Sequence, residues 1–302
     1  MSRILLTGKN GQVGFALNQS LSVLGEVVAV DVAECDLTRP DAIRDLILSH
    51  RPDIIVHPAA YTAVDKAESD QDIAHAINAV APGVIGEAAA EIGAPVISFS
   101  TDYVYPGDKD GWYVETDATG PLSVYGKTKL AGELALAAAQ PQSITLRTSW
   151  VFGPWGGNFL KTMLRLAKDR DSLNVVADQF GAPTSANLLA DVTTQLVAQY
   201  LRDGNGDGDF AWGTYHLVAG GETSWHGFAK YVIEQAHALG WTLKTDPANV
   251  NPIPASDYPV PAPRPSNSRM DTSKLRDTFG LALPDWQHGV RHTLALLSQA
   301  SK

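Results

Sequence analysis

A single cysteine, Cys35, is the most obvious shortage in this sequence of 302 residues. One thiol cannot form an internal disulfide, and such a chain suits a reducing compartment. The sequence also has no basic block, and its formal net charge of −10 argues against nucleic acid as a partner. No apolar run in it approaches the roughly 20 residues that cross a bilayer, and no basic-then-apolar signal segment precedes the first strand. We therefore expect a cytoplasmic protein that binds neither membrane nor nucleic acid.

The first half of the sequence alternates short apolar runs with helical patterns. Strands are predicted at 3–7, 26–31, 53–57, 95–100 and 143–148, and helices at 12–24, 39–50, 70–92 and 126–140. This alternation predicts an α/β fold, a Rossmann-type doubly wound parallel sheet with helices on both faces. Ligands of such a sheet bind beyond the carboxyl ends of its strands.

The second half is less regular. Helices are predicted at 158–168, 186–201, 223–239 and 285–299, strands at 173–177 and 214–218, and loops at 178–184, 204–209 and the proline-dense 251–266, which should contain no regular structure. We expect residues 1–148, with parts of about 185–220, to form a dinucleotide-binding domain. Residues 149–184 and 221–302 should then form a smaller, mostly C-terminal substrate-binding domain.

The turn after the first strand carries three glycines, Gly8, Gly11 and Gly14, in a G-x-x-G-x-x-G spacing. Glycines there allow a pyrophosphate to approach the backbone at a helix N-terminus, although a tight turn alone would also account for them. The second strand ends at Asp31, where a carboxylate can accept hydrogen bonds from an adenosine ribose or simply cap the strand. Asp31 would repel a 2′-phosphate, while the neighbouring Lys9 can offset that charge. We expect either NADH or NADPH to serve.

Tyr125 and Lys129 are four residues apart at the start of a helical pattern, and so share one helix face. A lysine at that distance favours the phenolate and lowers the tyrosine pKa, which suits acid–base catalysis. The same spacing between Tyr105 and Lys109 crosses a Pro-Gly turn that cannot be helical. A solvated helix face is the plainer interpretation of the first pair, and only the accompanying motifs argue against it.

Several longer motifs stand in order along nearly the whole chain. They occupy residues 8–14, 63–69 (Ala-Val-Asp-Lys-Ala-Glu-Ser), 100–105 (Ser-Thr-Asp-Tyr-Val-Tyr), 124–133, 147–152, 178–184 (Asp-Gln-Phe-Gly-Ala-Pro-Thr) and 264–269 (Arg-Pro-Ser-Asn-Ser-Arg). Through them the sequence resembles the extended short-chain dehydrogenase/reductases and, among these, the dTDP-4-dehydrorhamnose reductases. The resemblance implies NAD(P)H-dependent reduction of a 4-keto sugar nucleotide, the last step of dTDP-rhamnose synthesis.

The same resemblance implies roles for particular residues. Thr101, Tyr125 and Lys129 would form the catalytic trio, and Thr101, Asp102 and Trp150 would meet the sugar nucleotide. The cofactor would contact the glycine turn and the residues that follow the next strands, namely Gly8, Gly11, Gln12, Val13, Gly14, Asp31, Asp36, Leu37, Ala60, Tyr61, Thr62, Tyr125 and Lys129.

Two arginines of the 264–269 motif are candidates for binding the diphosphate of a sugar nucleotide. A guanidinium of Arg264 or Arg269 can bind phosphate oxygens in a bidentate manner, although each could instead be a solvated loop charge. Discrimination between sugars should then reside in the second half of the chain.

A magnesium site described for some members of the family is doubtful here. Its carboxylate on the first helix corresponds to Ala16, and hard cations need oxygen ligands. We therefore predict no metal and leave open a monomer or a homodimer. His288 and His292 are spaced for a metal but lack a third ligand, so an exposed helix face is expected.

Alternatives to this reductase remain. Another nucleotide-sugar 4-ketoreductase or an epimerase of the same family is one, and a non-catalytic NADP-binding regulatory subunit is another. The family's dehydratases carry an Asp-Glu pair where this chain has Asp102 and Tyr103, which disfavours elimination of water. Ser149 lacks the Gly-x-Ser-x-Gly context of a hydrolase, and His57 closes an apolar strand like a core residue.

Overall fold

The computed structural model describes residues 1–203 and 210–300, so the predicted loop at 204–209 lies outside the described residues. The strands are β1 (Ser2–Thr7), β2 (Gly25–Val30), β3 (Ile54–His57), β4 (Val96–Thr101), β5 (Ser143–Thr148), β6 (Val151–Phe152), β7 (Leu173–Val176), β8 (Phe180–Gly181), β9 (Thr184–Ser185), β10 (Gly213–His216), β11 (Thr223–Ser224) and β12 (Val250–Ile253). The helices are α1 (Gln12–Ser20), α2 (Pro40–His50), α3 (Val64–Ala67), α4 (Gln71–His75), α5 (Ala81–Ile92), α6 (Val124–Ala139), α7 (Phe159–Asp169), α8 (Ala186–Asp203), α9 (Trp225–Ala238), α10 (Ser273–Phe279) and α11 (Trp286–Ala300).

Six strands form one parallel sheet in the order β10-β5-β4-β3-β1-β2. The five strands predicted in the first half are all present, and the strand predicted at 214–218 pairs with β5. The strand order reverses between β1 and β3, which is where ligands of such sheets bind. The predicted doubly wound α/β fold is therefore confirmed.

Helices cover both faces of the sheet. On one face α1 and α8 pack together against the sheet, and Leu189 of α8 joins Ile4 and Leu6 of β1 in one core. On the other, α2, α5 and α6 bury Ile47 and Leu136 against the sheet. The central strands are apolar on both sides because neither face meets solvent, as is usual in parallel sheets.

A second apolar core lies among α7, α9, α11, β7 and β12, around Phe152, Phe228 and Trp286. This core belongs to segments from the second half of the chain. Leu275 of α10, however, packs into the core of the large sheet, although it lies within 221–302. Residues 149–184 and 221–302 as a separate substrate-binding domain therefore remain a proposal.

The prediction that 251–266 contains no regular structure is wrong. Residues 250–253 form β12, which pairs in parallel with β7 and includes Pro252. Proline lacks a backbone N–H, so a strand tolerates it where one side has no partner strand. Among the described residues β12 pairs with β7 alone, so its other edge accommodates the proline.

The expectation that no apolar stretch is long enough to cross a bilayer also needs correction. The continuous helical stretch Gln71–Ile92, which includes a π-helical turn at Ala76–Val80, passes that test by length and composition. Half of its most apolar window is buried, and it packs against α6. A core helix has the same composition, so this stretch is weak support for a membrane span.

Candidate active site

A cleft of about 610 Å³ lies beyond the carboxyl ends of the central strands. The glycine turn forms one wall, and the side chains of Thr101, Tyr125, Lys129 and Trp150 form the other. The most distant of these groups in sequence are Gly8 and Trp150, at opposite ends of the first half of the chain. The parallel sheet brings them together because all of its strands end at the same edge.

The glycine turn is built for close contact between backbone segments. Gly8 has a φ of +65°, and a Cβ on Gly14 would lie 1.9 Å from the carbonyl oxygen of Gly8. Any side chain at position 14 would therefore push α1 off the turn. In the described structure no side chain caps the start of α1 at Gly11, so the first N–H groups of the helix remain available to an anion.

Asp31 follows β2 at the rim of the cleft, as predicted. Its Oδ2 accepts a hydrogen bond from the backbone N–H of Asn10 at 2.9 Å, and its Oδ1 accepts one from Val32 at 2.8 Å. The carboxylate thus ties the glycine turn to the end of the strand. Lys9, expected to offset its charge, instead forms an ion pair with Glu34 at 2.7 Å.

Asp36 and Leu37 line a neighbouring cavity of about 160 Å³, which also borders Asp31 and Ala60. Hydrogen bonds from the backbone and side chain of Thr38 lower the pKa of Asp36. The free Cys35 is buried in the same wall, and burial raises the pKa of its thiol. This cavity extends the cleft past the end of β2.

Of the three residues expected after β3, Ala60 and Thr62 line the cleft and Tyr61 takes another direction. The Tyr61 hydroxyl donates to Asp70 at 2.9 Å, and its backbone exchanges two hydrogen bonds with the buried Asn78. The Tyr61 side chain does not line the cleft, and a contact of Tyr61 with a cofactor stays a prediction. The hydrogen bonds of Tyr61 hold the loop from which Ala60 and Thr62 line the cleft.

The catalytic candidates meet because α6 begins directly against the end of β4. Ser123 caps the helix by accepting a hydrogen bond from the N–H of Gly126 at 3.1 Å. A Cβ at Gly126 would lie 2.2 Å from the carbonyl oxygen of Tyr103, so only glycine permits this approach. Tyr125 is thereby held beside Thr101, the last residue of β4.

The electrostatics of Tyr125 differ from the expectation. Burial raises its pKa, and hydrogen bonding with Thr101 lowers it by less. Lys129 contributes no lowering of this pKa, and its ammonium donates to the carbonyl oxygen of Phe99 at 2.7 Å. Burial lowers the pKa of Lys129 to about 8, against an opposing effect of Glu133. Tyr125 is therefore a neutral phenol at ordinary pH.

Asp102 is buried beside this pair, and both of its carboxylate oxygens are occupied. Oδ1 accepts from the Thr101 hydroxyl at 3.0 Å, and Oδ2 accepts from Ser268. Burial raises the pKa of Asp102 to about 6, while the bonds from Ser268 and Thr101 oppose that rise. The Thr101 oxygen also accepts from the N–H of Tyr103 at 3.2 Å.

Trp150 occupies a strained position in the cleft wall. Its φ is +50°, a left-handed conformation that is unusual for a bulky residue and often marks a functional site. Its ring stacks on Trp225 at 3.6 Å between centroids, and a Cβ on Gly181 would lie 2.9 Å from it. The ring is thus fixed between α9 and the 178–184 loop while still lining the cleft.

Arg264 and Arg269 do not line the cleft as it stands. Arg264 pairs with Asp65 at 2.7 Å, and Arg269 pairs with Glu222 at 3.2 Å. The other terminal nitrogen of Arg264, Nη1, is buried and has no hydrogen-bond partner among the described residues. Arg264 therefore retains a donor for an anion, whereas Arg269 Nη1 is engaged with Glu222.

Two hydroxyl groups in the cleft have no hydrogen-bond partner among the described residues. Ser100 Oγ and Thr148 Oγ1, at the ends of β4 and β5, are buried without a hydrogen bond among the described residues, and both line the cleft. Buried hydroxyls normally find partners, so orphaned ones in a cleft suit a polar ligand. Together with the open glycine turn, they fit a nicotinamide dinucleotide.

Two parts of the site were not recognised in the sequence. The segment 153–158 lies against the glycine turn, where Asn158 donates to Gln12 at 2.9 Å and the Trp155 indole donates to the carbonyl oxygen of Asn10 at 3.1 Å. Ser268 lies within the 264–269 motif, but nothing in that motif indicates its bond to Asp102. No local pattern indicates these contacts, because the two partners of each are more than 140 positions apart in sequence.

The histidines behave as the plainer interpretations predicted. His57 is buried and hydrogen-bonded to Thr7 at 2.7 Å, and burial lowers its pKa to about 3. His288 and His292 are exposed on α11. In residues 1–203 and 210–300, no three His, Cys, Asp or Glu side chains gather as a metal site would require. Ala16 is partly buried on α1 against the sheet core.

The chain is similar to known proteins over nearly its whole length. A family model described as the RmlD substrate binding domain matches residues 1–299. The dTDP-4-dehydrorhamnose reductase of Escherichia coli (strain K12) is 50% identical over 295 residues, which cover 96% of each chain. A crystal structure of a dTDP-4-dehydrorhamnose reductase from Clostridium acetobutylicum is similar with a TM-score of 0.88 and 35% identity, covering 98% of this chain and 99% of that one. The enzyme of the same name from Bacillus anthracis, in complex with NADP, has a TM-score of 0.87 and 32% identity, with the same coverage.

Proposed function

Because this chain belongs to the RmlD family of dTDP-4-dehydrorhamnose reductases, we propose that its cleft reduces dTDP-4-dehydro-β-L-rhamnose to dTDP-L-rhamnose with NADH or NADPH. This reaction is the last step of dTDP-rhamnose synthesis. The observation that carries the proposal is the convergence of Thr101, Tyr125 and Lys129 on the cleft that the glycine turn opens.

The cofactor would bind along the glycine turn and supply the hydride for the carbonyl carbon. The N–H groups at the start of α1 would hold its pyrophosphate, with Gly8, Gly11, Gln12, Val13 and Gly14 as the lining backbone. Asp31, Ala60 and Thr62 would contact the riboses, and Asp36 and Leu37 the adenine cavity. The NADP complex of the Bacillus anthracis relative supports this class of cofactor.

Tyr125 would donate the proton that the sugar oxygen needs. Hydride addition leaves negative charge on that oxygen, and an alkoxide is basic enough to take a proton even from a phenol of raised pKa. Burial of Tyr125 keeps the phenol protonated until then. Such general acid catalysis contributes about 10²–10⁴-fold. The tyrosinate would regain its proton from solvent after the product leaves.

Lys129 and Thr101 would support that transfer. Lys129 uses one N–H on Phe99, and its remaining donors would hold the cofactor ribose and stabilise the tyrosinate once it forms. Thr101 would hydrogen-bond the same sugar oxygen after its proton turns away from Asp102. Asp102 and Trp150 would contact the sugar nucleotide, and Arg264 and Arg269 its diphosphate.

The dehydratase and the regulatory subunit would each require a different set of side chains in the cleft. Elimination by a dehydratase needs a second carboxylate, and Tyr103 stands where the Glu would be. A regulatory subunit would not need an intact Thr101–Tyr125–Lys129 arrangement. We also propose a cytoplasmic location, and either a monomer or a homodimer, which light scattering of the purified chain would distinguish.

The deciding experiment is incubation of the purified chain with dTDP-4-dehydro-β-L-rhamnose and NADPH, followed by identification of the product sugar. We expect stoichiometric oxidation of the cofactor and formation of dTDP-L-rhamnose. Tyr125→Phe is the matched control, since it removes one oxygen. Cofactor binding without oxidation would support the regulatory alternative, and a different product sugar would support another ketoreductase or an epimerase.

A further inference from the structure

Besides Asp31, a second carboxylate, that of Glu34, joins the glycine turn to the end of β2. Glu34 Oε1 forms an ion pair with the ammonium of Lys9 at 2.7 Å, and Glu34 Oε2 accepts a hydrogen bond from the N–H of Asp31 at 2.9 Å. The backbone N–H of Lys9 in turn donates to Val30 at 3.2 Å. Lys9 therefore lies at the strand end where Asp31 faces the cleft. Its ammonium is paired with the carboxylate of Glu34.

The charges at this rim of the cleft do not favour the 2′-phosphate that NADPH carries on its adenosine ribose. Asp31, Glu34 and Asp36 contribute three carboxylates within six residues, and the cations that act on them are Lys9 and Arg39. The carboxylates of Asp31 and Asp36 accept hydrogen bonds from backbone N–H groups. Of the three carboxylates, Glu34 is the one that forms an ion pair with Lys9. A 2′-phosphate arriving beside Asp31 would meet like charge and find the Lys9 ammonium already paired.

We propose that Glu34 determines cofactor selectivity, because it withholds the Lys9 ammonium from the 2′-phosphate of NADPH and so favours NADH. This inference rests on the proposed function only in that a nicotinamide dinucleotide binds along the glycine turn. It assigns selectivity to a residue outside the glycine motif, in the segment that follows β2. An ordinary surface ion pair, worth little in water, is the competing explanation.

The two explanations separate in a double-mutant cycle. Glu34→Gln keeps an oxygen that can accept from the N–H of Asp31 but releases Lys9. Removing one like charge and freeing one opposite charge beside a phosphate should tighten NADPH by roughly five- to tenfold. NADH lacks the phosphate, so its Kd should change by less than about twofold. In a Lys9→Ala background, Glu34→Gln should recover only a small part of that gain.

The control is Glu26→Gln at the opposite end of the same strand. Glu26 pairs with Arg3 at 3.0 Å and is about as exposed as Glu34, with side-chain exposures of 54% and 45%. It lies away from the cleft, so removing it changes the net charge equally without affecting Lys9. We expect the ratio of the NADPH and NADH dissociation constants to stay at the wild-type value in this variant.

The measurement is the Kd of NADPH and of NADH for the full chain, by calorimetry without sugar nucleotide. A gain for NADPH in Glu34→Gln that shrinks when salt rises from about 0.05 to about 0.5 M supports the inference, because screening weakens charge interactions. An unchanged ratio, or an equal gain in the Lys9→Ala background, overturns it. Failure of the proposed reaction would appear separately, as absence of turnover with both cofactors whatever the binding ratio.

Discussion

The hydroxyl of Ser268 donates a hydrogen bond to Asp102, whose other oxygen accepts one from Thr101. The first two residues are 166 positions apart in sequence. Through this contact the C-terminal loop reaches the end of β4, where the catalytic candidates stand. Ser268 also donates its backbone N–H to Phe180 at 2.7 Å, so one residue joins the 178–184 loop to the active site.

We expect Ser268→Ala to lower kcat and the free energy of unfolding. A buried carboxylate that loses one hydrogen bond costs about 1–3 kcal/mol. The pKa of Asp102 should also rise, because the Ser268 bond opposes the effect of burial. Steady-state kinetics and urea unfolding would test both. Ser266→Ala, which removes a hydroxyl bonded to Gly107 in the same loop, is the control, and equal kinetic effects of the two variants would exclude a special role for Ser268.

Asp102→Asn should show a stability gain over wild type that grows with pH. The pKa of Asp102 is about 6 in the fold and 3.8 in a free chain, so folded protein retains a proton that unfolded protein has lost. The carboxyl therefore costs stability as pH rises between these values, by roughly 3 kcal/mol in full. The neutral amide avoids this cost.

The check on Asp102→Asn is its free energy of unfolding relative to wild type at about pH 4 and about pH 7. His57 and His216, whose pKa values are lowered by burial, are present in both proteins and cancel in the difference. A difference that does not change with pH would mean that Asp102 ionises normally.

Tyr125→Phe should retain the fold and cofactor binding while losing nearly all turnover. In the proposed reaction the phenol oxygen donates the proton, and its removal should cost at least about 10²-fold in kcat. Single-turnover kinetics and the Kd of NADPH would be measured together. Tyr258→Phe, at an exposed phenol, is the control. Turnover of Tyr125→Phe within about tenfold of wild type would refute the role.

Asp31→Ala should shift preference toward NADPH. The carboxylate stands at the end of β2, where a ribose 2′-hydroxyl is recognised and a 2′-phosphate would be repelled. The variant also frees the N–H groups of Asn10 and Val32, which can then meet a phosphate. The ratio of kcat/KM for the two cofactors decides. If that ratio does not move, Asp31 acts only as a cap between strand and turn.

Arg264→Ala and Arg269→Ala should each raise KM for the sugar nucleotide and leave the Kd of NADPH nearly unchanged. The loss of a binding contact that is equal in ground and transition states appears mainly in KM. Arg276→Ala, on α10, is the control. Calorimetry of the dTDP-sugar would settle the matter, because normal binding by both variants would place the diphosphate elsewhere. Their present ion pairs with Asp65 and Glu222 would then be their whole role.

Much of the fold and part of the site could be predicted from local patterns. The alternation of strands and helices is set by the periodicity of apolar residues, which local sequence reports directly. The glycine turn and the Tyr125–Lys129 spacing are equally local, and the structure brings both to one cleft. The strand that contains Pro252 was missed because pairing with β7 outweighs the poor local propensity of proline.

The class of sheet, the place of the glycine turn and the residues that could carry the chemistry follow from local sequence, because each depends on neighbours within a few positions. The charge state and the hydrogen bonds of those residues follow from the packing of the whole chain. Burial raised the pKa of Tyr125 where spacing alone predicted a lowering, Glu34 took the Lys9 ammonium, and Ser268 reached Asp102 from the far end of the chain. Burial and long-range hydrogen bonds depend on what packs around a group, and no local pattern contains that information.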